Sequence, residues 1–165
     1  MRYFIFGFLI IIAFSCCDIT EYETNKDLPR LRNEWASEYE AWKKLDIQNY
    51  SFIYSLPEIL GDEWGIRITV KNGQFYESID IRTGENEELW HKDTIDDIFI
   101  RINNSFDYEE KKLGVSKDMI RTTYKVKYDP EYHFPAYHSV VITYKQPTAD
   151  NSLEIIIYDF TIIDE

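Results

Sequence analysis

The chain has 165 residues, with 18 Lys+Arg against 30 Asp+Glu and a formal net charge of −12. Such a surface repels a phosphate backbone, which excludes nucleic acid as a natural partner and leaves no broad electrostatic grip on anionic lipid. The 13 Tyr, 10 Phe and 4 Trp weigh against disorder and towards a β-rich fold with a real core.

The N-terminus opens with Met1-Arg2 and then runs uncharged from Tyr3 to Phe14. Twelve helical residues reach about 18 Å, short of a hydrocarbon core of ~30 Å. A positive start, an apolar run of this length and then small residues mark residues 1–15 as a secretory signal. The sequence Ala13-Phe14-Ser15-Cys16-Cys17-Asp18 that follows resembles the bacterial lipoprotein box. In that box a small residue precedes a cysteine that is lipidated before cleavage. Ser15 fits the small position, so Cys16 is the expected lipidation site and Cys17 the alternative. The chain has no other cysteine, and the pair is adjacent, so neither a disulfide in the body nor a Cys/His metal spacing is available. The resemblance implies a domain outside the cytoplasm, held at the membrane of a bacterial envelope by N-terminal lipid. Residues 16–27, largely polar and acidic, are expected to form the lipidated N-terminus and a short tether. Residues 28–165 are expected to form a single domain.

Leu28, Leu31, Trp35, Tyr39, Trp42 and Leu45 recur at helical spacing and predict an amphipathic first helix. Asp27 is its expected cap, and Pro29 is tolerated in the first turn. Strands follow. Tyr50, Phe52, Tyr54 and Leu56 alternate with polar or smaller residues, as do Ile66, Ile68 and Val70. Asn72-Gly73 predicts a two-residue hairpin into Phe75–Ile81. A regular register would oppose Glu77 to Ile68, so either a bulge shifts the pairing or Glu77 lies at the rim. Residues 82–93 read as a polar loop anchored by Trp90. Thr94 is placed to cap a second helix, with Asp96 and Asp97 at its positive end and Ile95, Ile98, Phe99, Ile102 and Phe106 as its buried stripe. Gly114 marks a stop after it. Three further strands are expected, with Ile120, Thr122, Tyr124, Val126 and Tyr128 on one face of the first, then residues 136–145 and 153–163.

This order predicts an α+β fold. Two α-β-β-β units form one antiparallel sheet with helices packed on one face, leaving the other to solvent or a partner.

Five short pieces strengthen the reading. Asn49-Tyr50-Ser51-Phe52, Val70-Lys71-Asn72-Gly73, Thr94-Ile95-Asp96-Asp97-Ile98-Phe99, Tyr128-Asp129-Pro130-Glu131-Tyr132-His133-Phe134-Pro135 and the strand after Ala149-Asp150-Asn151 stand in order. Together they are similar to a family of uncharacterised bacterial lipoproteins with a T-I-D-x-L-F helix start and a Y-D-x-x-Y-G-Y-P turn. The resemblance covers most of residues 35–162 and implies no activity. His133 stands where the family pattern has Gly, so a positive φ there would strain this chain.

The sequence carries no catalytic constellation. No GxSxG, HExxH or P-loop occurs. His133 and His138 flank a Pro-containing turn and are expected at the surface; with Asp129 or Glu131 they define the alternative reading, a hydrolase or metal-dependent envelope enzyme. The neighbouring acids Asp62-Glu63, Glu87-Glu88, Asp96-Asp97 and Glu109-Glu110 are expected to be solvated, since adjacent side chains point apart. Asp150-Asn151 lacks the ligand series of a calcium loop. Asp159 interrupts an apolar strand and must be paired or exposed. Tyr128, Tyr132, His133, Phe134 and Tyr137 gather around the proline turn and form the candidate binding surface, suited to an envelope protein or a glycan. No cofactor and no metal is expected. The leading expectation is a non-enzymatic, lipid-anchored binding or assembly module.

Overall fold

Helix α1, Leu28–Leu45, forms where Pro29 pre-sets the first turn and the apolar stripe repeats every three or four residues. The computed structural model describes residues 24–57, 64–86, 92–114, 116–146 and 152–163. The lipoprotein box at residues 1–17, Trp90, His91, the acid pairs at 62–63 and 87–88, and Asp150-Asn151 lie outside these residues. Leu28, Leu31 and Trp42 are buried, Trp35 and Tyr39 pack against them, and Leu45 ends the stripe in solvent. The expected cap is corrected: Asp27 has helical φ and ψ and makes no side-chain cap bond. Its own N–H instead donates to Asn25 Oδ1 at 2.9 Å, so the chain is braced one turn earlier. The helix stops at Asp46, which adopts φ +49.

Strands β1 (Tyr50–Ser55), β2 (Ile66–Lys71) and β3 (Gln74–Asp80) form an antiparallel meander. Asn72 and Gly73 both take positive φ, +51 and +70, as a type I′ turn requires. Val70 pairs with Phe75 and Thr69 with Glu77, so Tyr76 is the extra residue of a bulge. Glu77 thereby leaves the apolar face, and Ser78 takes its place opposite Ile68.

Helix α2, Ile95–Glu110, starts with a capping box. Thr94 Oγ1 accepts the Asp97 N–H at 3.2 Å, and Asp97 Oδ2 accepts the Thr94 N–H at 2.9 Å. All five predicted stripe residues are buried. The helix ends at Glu110, with Lys112 in the left-handed region, a little before Gly114 at φ +71. Strands β4 (Met119–Tyr128), β5 (Pro135–Tyr144) and β6 (Ser152–Ile162) complete the sheet.

All six strands lie in one antiparallel sheet of order β3-β2-β1-β6-β5-β4. The α+β architecture of two α-β-β-β units is therefore present, with both helices on one face. The halves join through β1 and β6, the first strand of one and the last of the other. A two-fold repeat about the sheet normal would instead set β4 beside β1. The helices run antiparallel, because Arg32 meets Asp107 and Glu110 whereas Lys43 meets Asp96. Tyr50, Phe52, Tyr54, Ile66, Ile68, Val70, Ile155 and Ile157 form the floor of the core beneath them.

Candidate functional site

The segment most populated by candidate residues is the β4–β5 turn. Asp129 organises it: its Oδ1 accepts the N–H groups of Glu131 at 2.9 Å and Tyr132 at 2.8 Å. The His133 N–H donates to the Asp129 carbonyl, and the Asp129 N–H donates to the Phe134 carbonyl. Pro130 stands where no N–H is needed. This closure drives His133 to φ +64, the conformation the glycine of the family pattern would adopt freely. His133 holds it with a tertiary contact, Nδ1 lying 2.8 Å from Glu38 Oε2 on α1.

The structure separates the five aromatic and histidine candidates. Phe134 is buried, and with Tyr132 it packs on Phe160, at centroid distances of 4.9 and 5.0 Å. Trp42 and Tyr50 reach the same ring. Burying a ring of this kind stabilises by about 1.5–3 kcal/mol, so this cluster is core first. Tyr128 stacks on Phe99 on the helix side, its hydroxyl buried. Burial raises that hydroxyl's pKa, and the carboxylates of Glu34 and Glu38 raise it further. Tyr137 projects from the opposite, helix-free face, where it pairs with Lys127 across β4. Thus Tyr132 and Phe134 meet on Phe160, Tyr128 stacks on Phe99, His133 is held against α1 by Glu38, and Tyr137 stands on the opposite face.

His138 departs from the surface position expected of it. It is 4 % exposed, on the helix-facing side of β5, opposite Val126 and Ile155. Burial, reinforced by the nearby Arg101 guanidinium, depresses its pKa from 6.5 to about 4. Its Nε2 has no hydrogen-bond partner among the described residues. His133 and His138 therefore occupy separate environments, one clamped to Glu38 and one inside the core. Among the described residues no three His, Cys, Asp or Glu side chains gather as metal ligands would.

The acids are mostly occupied by the fold. Asp96 accepts from Tyr39 Oη at 2.9 Å, Lys43 Nζ at 2.9 Å and Trp42 Nε1 at 3.3 Å. Burial alone would raise its pKa, but these donors outweigh burial and hold it below the usual carboxylate value. Tyr39 responds in the opposite sense: burial and the adjacent Asp96 push its hydroxyl up to about 12. Glu109 is buried and accepts the Asn25 N–H at 2.9 Å. The expectation of solvated acids is thus corrected for both Asp96 and Glu109: each supplies a long-range link between an N-terminal segment and α2. Asp80 caps its own turn by accepting the N–H groups of Arg82 and Thr83. Asp159 occupies the bulge between β1 and β6 at φ +54, where its side chain is 52 % exposed and lies 2.6 Å from Arg67. It is both paired and exposed, and its backbone explains the interruption of the apolar run.

A cleft of about 530 Å³ opens where the end of α1, the Asn72-Gly73 turn and the start of α2 converge. Trp42, Lys43, Gln48, Asn72, Phe75 and Asp96 line it. Its three acids are already engaged, Asp96 with three donors, Asp97 in the capping box and Asp46 with the Gln48 Nε2 at 2.8 Å. No residue in it pairs a nucleophile with a base. The sequence signals pointed elsewhere because Asp96 looked like a helix-dipole residue; its bond to Tyr39 depends on how α1 crosses α2.

The helix-free face is different in character. Tyr137, Ile156 and Tyr158 stand on it half-exposed, beside Ile53 and the close-packed Gly65. A Cβ on Gly65 would lie 2.8 Å from Ile53 Cγ2, so this face is tightly built at its centre.

Neither a curated protein nor a solved structure matches the chain. One sequence family does, over residues 34–162, a span from the first turns of α1 to the end of β6. The chain belongs to that family, DUF6174, a family of unknown function.

Proposed function

We propose that the protein is exported, is lipidated on Cys16, and acts at the envelope as a non-enzymatic binding or assembly module. The observation that carries the non-enzymatic part is the engagement of the acid–base groups in and around the candidate sites. Asp96, Asp97, Asp80, Glu109 and His133 are each bound into a structural contact, and His138 is sealed in the core. A general acid or base needs a free face towards a substrate. The helix-free sheet face presents Ile156 and Tyr158, with Tyr137 half-exposed beside them. Amphipathic rings of this kind suit recognition of another envelope protein. The lipid reading rests on the sequence of residues 1–17.

The test places a photo-crosslinking residue at Tyr158 and, separately, at Ile100 on the solvent side of α2. A reproducible adduct to one envelope protein from position 158 but not from position 100 supports the module. Adducts from neither position, or equally from both, refute it.

A further inference from the structure

The charge of this protein is unevenly placed. Residues 111–127 contain Lys111, Lys112, Lys117, Arg121, Lys125 and Lys127 against the single acid Asp118. That is a local excess of five positive charges in a chain of net −12. The fold concentrates it on one side. β4 is the last strand of the sheet, and the turn before it leads down from α2. Arg121, Lys125 and Lys127 alternate on the helix-free side of β4 and are exposed, as are Lys111, Lys112 and Lys117. Among the described residues, none of Lys112, Lys117, Arg121, Lys125 and Lys127 forms an ion pair, although eight other Lys and Arg residues do, three of them with a carboxylate one helical turn away. Leu113, 51 % exposed, sits in the middle of the basic turn. Tyr137 adds an aromatic ring within 5.5 Å of Lys125 and 5.4 Å of Lys127.

The chain enters the domain at this same edge. Thr24, Asn25, Lys26 and Asp27 share a cleft of about 330 Å³ with Arg121, Thr122 and Thr123. The Asn25 N–H is fixed to Glu109 at the end of α2. From Cys16 to Thr24 is a stretch of eight residues, whose maximum reach is roughly 26–29 Å. A lipid on Cys16 is therefore joined to the domain beside the β4 edge and its basic turn.

We infer that the β4 edge and the 111–117 turn form a membrane-facing side that lies against anionic phospholipid headgroups. The inference rests on the lipid-anchor reading and adds an orientation to it. The physical reason is complementarity in both directions. The unpaired cations are drawn to a negative headgroup layer, and the remaining surface, which carries the excess acid, is pushed away from it. The acyl chain supplies retention; the basic edge selects which side of the domain faces the bilayer. This turns the other edge, with β3 and its Asn72-Gly73 turn, outward.

The test uses full-length lipidated protein in two kinds of vesicle, phosphatidylcholine alone and a mixture rich in phosphatidylglycerol. Flotation first reports anchoring. Brief acylation by an amine-reactive reagent, read by mass spectrometry, then compares Lys117, Lys125 and Lys127 with Lys71 on the far side of the sheet. The expected result is about threefold or greater protection of the three edge lysines in the anionic vesicles only, abolished at high salt. Lys125→Glu with Lys127→Glu should float as well as the parent and lose the protection of Lys117. Equal labelling in both vesicle types overturns the inference and leaves the lysines as guards against strand pairing. Protection that appears in both vesicle types also overturns it, since charge would not be its cause. Failure to float counts against the lipid anchor instead, and is read before any labelling.

Discussion

His138 gives the sharpest stability prediction. In the folded chain its imidazole is held neutral, with a pKa near 4 against 6.5 for the free side chain, because it is buried and faces the Arg101 guanidinium. The unfolded chain therefore binds a proton that the folded chain refuses as pH drops through 6.5. Stability contributed by the neutral ring is fully present above that value, declines below it, and levels off near pH 4. A difference of two to three pKa units corresponds to about 3 kcal/mol across that window, at roughly 1.4 kcal/mol per pH unit. The assay is urea unfolding at a series of pH values for the parent and for His138→Leu, with the two curves subtracted so that carboxylate effects cancel. Leucine does not titrate and removes a buried nitrogen that lacks a partner, so the variant should match or exceed the parent near neutrality and gain on it steadily as pH falls. A difference that stays flat from about pH 7 to pH 4 would refute the reasoning, because it would mean that His138 charges as readily inside the fold as outside it.

Changes at three further positions follow from backbone and cap geometry. His133→Gly should raise stability by about 0.5–1 kcal/mol by relieving φ +64, whereas His133→Ala should lower it, both read by denaturant midpoint. Asp159→Val should cost about 1–2 kcal/mol because a β-branched residue resists φ +54, while Asp159→Gly should stay close to the parent despite losing Arg67. Thr94→Ala breaks the capping box and should cost about 1 kcal/mol in the same assay, with fraying of the first turn of α2 visible in amide exchange.

Much of the fold could be read in advance because it rests on local periodicity and local chemistry. The α2 stripe of Ile95, Ile98, Phe99, Ile102 and Phe106, its Thr94 cap and the Asn72-Gly73 turn each depend on residues close in sequence. A bulge after the Asn72-Gly73 turn is one of the two arrangements the sequence allows, and only the pairing itself decides it and assigns it to Tyr76. What escaped prediction depends on partners far apart in the chain. The joining of β1 to β6 places Asp159 in a bulge that no local pattern announces. Asp27 looks like a cap, yet Asn25 does the bracing because Glu109, more than eighty residues away, fixes its N–H. His138 reads as a surface residue from its polar type, but its position opposite Val126 and Ile155 turns it inward. The candidate surface at the proline turn shows the same limit. Alternation along β5 sends Tyr137 to one face and Phe134 to the other, so residues that cluster in sequence are divided by the sheet.

The claim on which the functional account depends is that the chain is processed and lipidated at Cys16. Its most direct measurement is mass spectrometry of the N-terminal peptide of protein purified from the membranes of cells that make it. The expected chain begins at Cys16 and carries the mass of a diacylglyceryl group on that residue. A chain that still begins at Met1, a Cys16 with no lipid mass, or lipid on Cys17 in its place would contradict the claim.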